Sequence, residues 1–146
     1  MTMASGVYGV THRDIWDASQ LAVNTSSDTI KYALVTDAET PDFDADDFYA
    51  DFSANEVSGT GYTAEGATLA SITFLNASGF LSFDAADTSW TTSTITNARG
   101  GITHDDTLAS GPLLHAVTFG ADFSTVAGTF LVTHNASGLW RIDYIP

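Results

Sequence analysis

The chain has 146 residues and a formal net charge of -14, because 18 acidic residues stand against four lysines and arginines. Contacts with nucleic-acid phosphates depend on clusters of Lys and Arg, so this composition argues against direct nucleic-acid binding. The absence of cysteine excludes disulfides, thiolate zinc sites and a cysteine nucleophile, and no apolar run is long enough to cross a membrane as a helix.

A chain of this length fits one domain with a single core. The N-terminus lacks the charged and apolar regions of a signal peptide, so we expect an unexported protein. Residues 1–9 are small and polar and predict an extended arm held by a partner subunit. Residues 12–23 predict a short helix with Trp16 packed inward. We divide the chain into an arm and lead-in at 1–27 and a β domain at 28–146.

The first strand signal covers residues 29–36. In this segment Ile30, Tyr32 and Leu34 share one face by the period of two that β-strands have. We therefore expect these three side chains to point into the core.

An acidic segment follows this strand. Residues 44–52 predict one short helix, because carboxylates are favoured in the first helical turn and Phe48 and Phe52 are spaced to share a face. The alternate aspartates in 42–46 imitate the start of a calcium-binding EF-hand loop. The glycine and glutamate that this loop requires are missing. Two interpretations of the acidic stretch 37–51 therefore stay open. It either binds a divalent cation at a site unlike an EF-hand, or it is the solvated start of a helix without a metal.

Three glycines in residues 58–69 interrupt the regular pattern. Gly59, Gly61 and Gly66 predict a tight, irregular turn that leads into a sheet. Tyr62 is expected to cover the core edge while its hydroxyl finds a hydrogen-bond partner. A phosphate cradle needs a Gly-rich turn that opens a helix, usually beside a basic residue. Neither follows here, so a nucleotide site is not expected.

The tetrapeptide Asn-Ala-Ser-Gly occurs twice, at 76–79 and 135–138. Each copy separates two strand-like runs, which predicts two antiparallel hairpins with the same turn. Both copies match the N-x-S glycosylation pattern, which we attribute to chance because no export signal is present. The predicted strands are 67–75 and 80–83 around the first turn, and 129–132 and 139–142 around the second.

Two further strands are predicted between the hairpins. The strand 94–103 is weakened by Gly100 and Gly101, which mark a bulge or a close contact. The strand 112–119 begins at a proline and ends at the turn 120–123. The total of seven or eight strands is typical of an all-β, single-domain antiparallel β-sandwich or jelly-roll-like fold, here with one short helix. The predicted core contains Ile30, Tyr32, Leu34, Leu69, Phe80, Leu113, Val117, Phe130 and Leu131.

Few residues suggest chemistry. The segment 104–106 places a histidine beside two aspartates, and Ser110 lies nearby, which suggests a hydrolase. Catalytic groups are assembled by the fold and not by adjacency, so we interpret this segment as a polar loop between strands. His115 and His134 lie in strand-like runs and are expected to be core or cross-strand residues. A metal site formed by three histidines is kept as an alternative, although the spacing of the histidines along the sequence does not support it. We expect no catalytic residue, cofactor or metal site.

Trp16, Trp90 and Trp140 raise the alternative of a sugar-binding platform, as in a small carbohydrate-binding β-sandwich module. Aromatic side chains are more often part of a core or a subunit interface. The platform is kept as an alternative of another functional class.

Three groups of residues together carry a resemblance to a known family: 28–37, then 55–63 with 66–69, then Pro112–Leu113 with 119–121. They resemble a family of small virion structural proteins of tailed bacteriophages. The resemblance extends from Asp28 to Ile142. It implies an accessory head or tail component, and no catalytic residues are associated with the family.

Two positions depart from the family pattern. Gly100, Gly101 and Ile102 stand where the family tends to have an aromatic and apolar strand, so a weak strand is expected there. Glu65 stands where a small residue is commoner.

The expected function is therefore that of a non-enzymatic phage virion structural protein, with the capsid decoration (cement) protein that binds the assembled head as the first choice. A phage tail or head-tail accessory protein is the first alternative. The expected partners are the major capsid protein, or tail proteins, and further copies of the chain. A homotrimer is preferred because the resemblance implies a position at three-fold junctions of the shell. The expected location is the virion, after synthesis in the bacterial cytoplasm, without nucleic-acid or membrane partners.

Overall fold

A computed structural model of the chain describes residues 2–17 and 21–145. The described residues form two antiparallel sheets and two short helices, which confirms the all-β, single-domain prediction. A short 3-10 turn at Ser53–Asn55 follows the second helix. The elements are β1 (Gly6–Val7), α1 (Gly9–Trp16), β2 (Ile30–Val35), α2 (Tyr49–Phe52), β3 (Ala67–Thr68), β4 (Thr73–Ala77), β5 (Phe80–Asp84), β6 (Thr88–Asp105), β7 (Leu113–Val132) and β8 (Trp140–Asp143).

The larger sheet has the strand order β1-β7-β6-β2-β3, and its centre is the long antiparallel hairpin of β6 and β7. The strand predicted at 112–119 was expected to end at the turn 120–123. This prediction is wrong, because β7 continues beyond this segment. The pairs Ala98↔Phe123 and Gly100↔Thr118 lie two residues apart on β6 but five apart on β7. The glycine-containing segment therefore forms a bulge in one strand and does not reverse the chain.

The smaller sheet has the order β4-β5-β8. The first Asn-Ala-Ser-Gly turn joins β4 and β5 as predicted. The hairpin predicted at the second copy is wrong, because β8 pairs with β5 and not with β7, in the register Phe83↔Trp140. This turn carries the chain from the larger sheet to the smaller one, where Leu139 N–H donates to Phe83 O at 2.8 Å. A local turn motif leaves open which strand the chain pairs with next.

The strand predicted at 67–75 is divided between the two sheets. β3 pairs with β2 in the larger sheet, whereas β4 pairs with β5 in the smaller one. Between them, Leu69 N–H donates to Ile30 O at 2.8 Å, and the Leu69 side chain is buried. Ser71 then adopts a positive φ of 53°, where the chain leaves the first sheet for the second.

The two sheets pack face to face over one core cluster, which is a β-sandwich arrangement. Leu113 is also buried but lies in a second cluster on the opposite face of the larger sheet. Phe80 and Val117 are only partly buried. Leu131 is 57% exposed, because it follows the buried Phe130 on a strand whose side chains alternate. The predicted core residues found in the first cluster are Ile30, Tyr32, Leu34, Leu69 and Phe130.

The N-terminal residues belong to the second core cluster. Met3 and Tyr8 are buried in it, and β1 pairs with β7 in the register Gly6↔Ala116. The prediction of an extended arm held by a partner is therefore wrong for residues 2–9, which are held by their own chain. Two apolar side chains anchor this otherwise polar segment, because their burial removes a large apolar area from water.

The helix α1 is the one predicted within 12–23, but it begins and ends earlier. Its buried residue is Thr11, while Trp16 is 83% exposed. The inward packing predicted for Trp16 is wrong, because five residues at about 100° each place Trp16 about 140° around the helix from Thr11.

The helix predicted at 44–52 is present only as α2, so the described chain has two short helices instead of one. The side chains of Asp42 and Asp46 accept backbone N–H groups within tight turns, and such local hydrogen bonds compete with helix formation. Phe48 has an extended backbone with φ -133° and ψ 161°. It therefore does not share a helix face with the buried Phe52.

The glycine-rich segment lies against β6, as predicted for a tight, irregular approach to a sheet. Thr94 N–H donates to Thr60 O at 2.8 Å, and a Cβ added to Gly59 would stand 1.9 Å from Thr94 O. Gly100 and Gly101 lie inside strand β6, so the expected weakness is not observed. The close contact predicted as one reason for these glycines is confirmed, because an added Cβ would overlap Val117 O and Met3 at Gly100 and the Tyr32 ring at Gly101.

Candidate functional site

The histidine and aspartates at 104–106 do not form a catalytic group in the described residues. His104 Nε2 donates to Glu65 O at 3.0 Å, while its Nδ1 has no hydrogen-bond partner and Ser110 does not bind it. Burial lowers the pKa of His104, so the ring is neutral at neutral pH. His104 and Asp105 are buried at the end of β6. The interpretation as a polar loop is therefore wrong for these two residues.

Asp105 forms a carboxyl pair with Asp28. Its Oδ1 accepts the N–H groups of Thr107 and Leu108 at 2.9 and 3.2 Å, while its Oδ2 is buried without a donor. Burial and, to a smaller extent, the Asp28 carboxyl raise the pKa of Asp105 to about 6. Burial and this neighbouring carboxyl group therefore favour the protonated form of Asp105 in the folded chain, and the proton is lost as pH rises.

A second polar network surrounds Glu56. Tyr62 Oη donates to Glu56 Oε1 at 2.5 Å and accepts the Leu34 N–H at 3.0 Å, and Tyr49 Oη donates to Glu56 Oε2 at 2.6 Å. Burial, followed by the hydrogen bond to Glu56, raises the pKa of both tyrosines. The predicted role of the Tyr62 hydroxyl is confirmed. Glu56 was not singled out in the sequence, because no local pattern signals a contact that two separate tyrosines make.

The acidic stretch 37–51 uses its carboxylates within turns. Asp46 accepts the N–H of Asp42 at 2.8 Å, and Asp51 accepts that of Asp47 at 2.9 Å. Turns of this kind are stabilised by Asp side chains independently of a metal. In residues 2–17 and 21–145, no three or more His, Asp or Glu side chains are grouped as they would be around a metal ion.

His115 lies in strand β7 and is buried as expected of a core residue, whereas His134 is half-buried and lies two residues after the end of β7. His115 is buried in β7 with Nε2 3.1 Å from Thr103 Oγ1, and burial lowers its pKa to about 3. His134 Nε2 lies 3.0 Å from Thr88 Oγ1, and its ring centroid is 5.2 Å from that of Tyr32. Each imidazole thus makes one contact with a hydroxyl group, and the buried Nδ1 of His115 has no hydrogen-bond partner among the described residues.

The three tryptophans do not form one platform. Trp90 is buried against Tyr62 and Phe130. Trp16 and Trp140 instead line one cleft between α1 and the inner face of the smaller sheet, which we call the α1 cleft. Its volume is about 320 Å³, and its apolar lining is Ile15, Trp16, Val23, Phe74, Leu81, Phe83, Leu114, Trp140 and Ile142.

Aromatic contacts organise the α1 cleft. The ring of Trp140 lies parallel to that of Phe83 at a centroid distance of 6.5 Å and edge-on to Phe74 at 5.6 Å. His12 meets the Trp140 ring at 6.0 Å. Phe74 is 52% exposed, and Trp16 is more exposed still. The cleft therefore presents accessible aromatic surface held in place by ring packing.

A larger concave surface, which we call the β7 groove, follows the curve of β7. Arg99 holds the bulge at its border, because Nη1 donates to Gly120 O at 3.0 Å and Nε lies 2.9 Å from Asp122 Oδ1. The lining contains no Asp, Glu, Lys or Arg. The groove has a volume of about 620 Å³, and its large lining side chains are Tyr32, Phe119, Phe123, Phe130, Leu131, His134 and Leu139.

The described chain is thus a β-sandwich with two apolar concave surfaces. Comparison of the chain with known protein families, with curated proteins and with solved structures finds no match. Among the described residues, no helix has the length and the apolar character needed to span a membrane.

Proposed function

We propose that this chain is a non-enzymatic virion structural protein of a tailed bacteriophage that binds the assembled head as a capsid decoration protein. The observation that carries the proposal is the apolar surface left open at the α1 cleft and the β7 groove. Large apolar patches on a soluble protein mark surfaces that bind a partner. The sequence resemblance supports the same class of protein. In this proposal the chain is made in the bacterial cytoplasm and then joins the particle.

The β7 groove is the surface that we assign to the shell. Phe123 and Leu131 are about half exposed in it, and its lining is uncharged. A partner that fills this groove has no charged side chain to desolvate there, although the whole chain carries -14. The net negative charge of the whole chain favours a shell protein that is basic near the contact.

Quantitative mass spectrometry of purified particles tests the proposal. A decoration protein approaches the copy number of the major shell protein. A tail or head-tail accessory protein, which is the alternative position, is far scarcer. Absence of the chain from purified particles overturns the virion assignment.

A pair of variants tests the surface. Phe123→Ser combined with Leu131→Ser should lower the copy number in the particle without unfolding the protein, because both side chains are already about half exposed. Trp16→Ser changes the α1 cleft and is the matched control, which should reach the wild-type copy number in the particle. If Trp16→Ser lowers the copy number and the double variant does not, the shell contact lies at the α1 cleft.

A carbohydrate-binding module is the second candidate, and one observation favours it. Trp16 and Trp140 line the same cleft together with the polar residues Asn24 and Thr25, and aromatic faces beside hydrogen-bonding groups suit sugar rings. A glycan array probed with the wild-type chain and with Trp16→Ser tests this function. Silence of the wild-type chain on the array removes it.

A further inference from the structure

The strand β4 leaves one edge of the smaller sheet open. It pairs with β5 in continuous register, and no backbone–backbone hydrogen bond on its other side is found in the described chain. Phe74 is 52% and Leu75 48% exposed, on opposite faces of the strand. The edge therefore offers unpaired N–H and C=O groups between exposed apolar side chains.

Native proteins usually protect such an edge with a lysine, a proline, a bulge or a covering segment. β4 has none of these, and the chain contains no charged residue or histidine between Glu65 and Asp84. The opposite edge of the same sheet, β8, carries Arg141 and Asp143, and the free edge of β7 is interrupted by bulges. The edge strands β1 and β3 of the larger sheet are also uncharged but have only two residues each. Among the longer described strands, β4 combines a regular edge with the absence of charge.

Charge indicates what covers this edge. Two copies of a chain with net charge -14 repel each other wherever their acidic surfaces meet. The repulsion is smallest where an uncharged edge meets an uncharged edge. A basic partner gains no electrostatic attraction at β4 and is drawn to the acidic surfaces instead. The neutral edge thus fits a second copy of this chain better than it fits an oppositely charged protein.

We propose that two copies of the chain pair through β4 as antiparallel strands about a two-fold axis. All five residues of each strand are paired only when Leu75 lies on the axis, which places Phe74 opposite Asn76 and Thr73 opposite Ala77 of the second copy. The two three-stranded sheets become one six-stranded sheet. Because the axis is perpendicular to this sheet, both α1 clefts open on the same face. The contact is isologous and closes on itself.

Sedimentation velocity of the full chain tests the pairing. The wild-type chain should sediment as a dimer, and Leu75→Lys should weaken the association by about tenfold or more, because two lysines then meet at the axis. Val126→Lys is the matched control, since Val126 is 84% exposed on β7, and it should leave the dimer intact. Circular dichroism and the melting temperature establish that both variants are folded.

Salt dependence adds a second readout. Added NaCl should strengthen the dimer, because it screens the repulsion between two acidic copies and no ion pair is needed at the contact. A contact held by ion pairs weakens instead. A trimer, as predicted from the resemblance, has a different mass and would overturn the two-fold pairing.

Cysteine substitution locates the axis, because the chain has no native cysteine. Residues directly opposite each other in antiparallel strands have Cβ atoms about 4.5–5.5 Å apart, close to the separation that a disulfide requires. With oxidised glutathione, Leu75→Cys should give a covalent dimer on a non-reducing gel. Thr73→Cys and Val126→Cys should not. A monomeric wild-type chain at high salt, or equal cross-linking of all three variants, overturns the proposal.

Discussion

The ring of Tyr32 lies directly on the backbone of Gly101. A Cβ added to Gly101 would stand 2.1 Å from Tyr32 Cζ, whereas carbon atoms pack at about 3.5–4.0 Å. Tyr32 is 1% exposed and is one of the residues that line the β7 groove. The glycine that weakened the strand pattern in the sequence therefore leaves the space that the buried Tyr32 ring occupies.

Replacing Gly101 tests this relationship. Gly101→Ala should lower the free energy of unfolding by about 1–3 kcal/mol or more, because the added carbon overlaps the ring. Gly128→Ala is the control on β7, where the nearest atom to an added Cβ is 3.7 Å away. It should leave stability unchanged or raise it by about 0.4–1 kcal/mol. Urea denaturation measures the free energy of unfolding of both variants. An equal loss of stability in Gly101→Ala and Gly128→Ala would contradict the role of Tyr32.

Two leucines of the predicted core should respond differently to truncation. Leu34 is fully buried between the sheets, so Leu34→Ala should cost about 2.7–5 kcal/mol of unfolding free energy. Leu131 is mostly exposed, and Leu131→Ala should change stability by no more than about 0.5 kcal/mol. Thermal unfolding of both proteins checks this, and an unchanged melting temperature for Leu34→Ala would mean that β2 faces the other way.

Two tyrosine hydroxyls should give opposite results when they are removed. Tyr62→Phe removes the hydrogen bonds of the Leu34 N–H and of Glu56 Oε1, while Tyr49 still donates to Glu56 Oε2, so it should lower the free energy of unfolding by about 1–3 kcal/mol. Tyr8 is buried, and its hydroxyl has no partner among the described residues. Tyr8→Phe should therefore be neutral or stabilising. Chemical denaturation of both variants measures the difference, and a large loss in Tyr8→Phe would reveal a hydrogen bond to that hydroxyl.

The N-terminal residues should be needed for stability. Met3 is buried in the second core cluster, so Met3→Ala should cost about 2–5 kcal/mol of unfolding free energy. Deletion of residues 1–9 also removes Tyr8 and β1 and should cost more. Val7→Ala is the control, because Val7 is exposed on β1. A deletion variant with an unchanged melting temperature would restore the interpretation of these residues as an arm.

The carboxyl pair of Asp105 and Asp28 should make stability depend on pH. The pKa of Asp105 is about 6 in the folded chain against an ordinary value of 3.8. Between these values the folded state binds more protons than the unfolded state, so the contribution of Asp105 to stability falls as pH rises. Asp105→Asn keeps an oxygen acceptor for Thr107 and Leu108 and cannot ionise.

Comparing this variant with the wild-type chain isolates the effect. Buried His115, whose pKa is lowered to about 3, acts in the opposite direction between pH 3 and 6.5 but is present in both proteins. The stability of Asp105→Asn relative to the wild-type chain should therefore rise from about pH 4 to pH 6 and then level off. Denaturation curves across this range measure it, and a constant difference would show that Asp105 ionises normally.

Local patterns predicted those features that neighbouring residues decide. The alternation of Ile30, Tyr32 and Leu34 predicted β2 and its core face, because side chains on a strand point to alternate sides. The turn at 76–79 predicted the β4–β5 hairpin, because a tight turn places its own flanks side by side. Tyr62 was predicted to cover the core edge and to use its hydroxyl.

The tertiary structure decided which distant segments meet. A second Asn-Ala-Ser-Gly turn leads to β8, which pairs with β5 and not with β7, because the backbone hydrogen bonds of a strand are the same whatever its partner. The burial of Met3, the contact of Asp28 with Asp105, and the open edge of β4 likewise depend on segments far apart in the chain. The sequence alone determined an acidic, cysteine-free β domain with marked strand faces. The neighbours of each strand, and hence the α1 cleft and the β7 groove, follow from long-range packing that has no local signature.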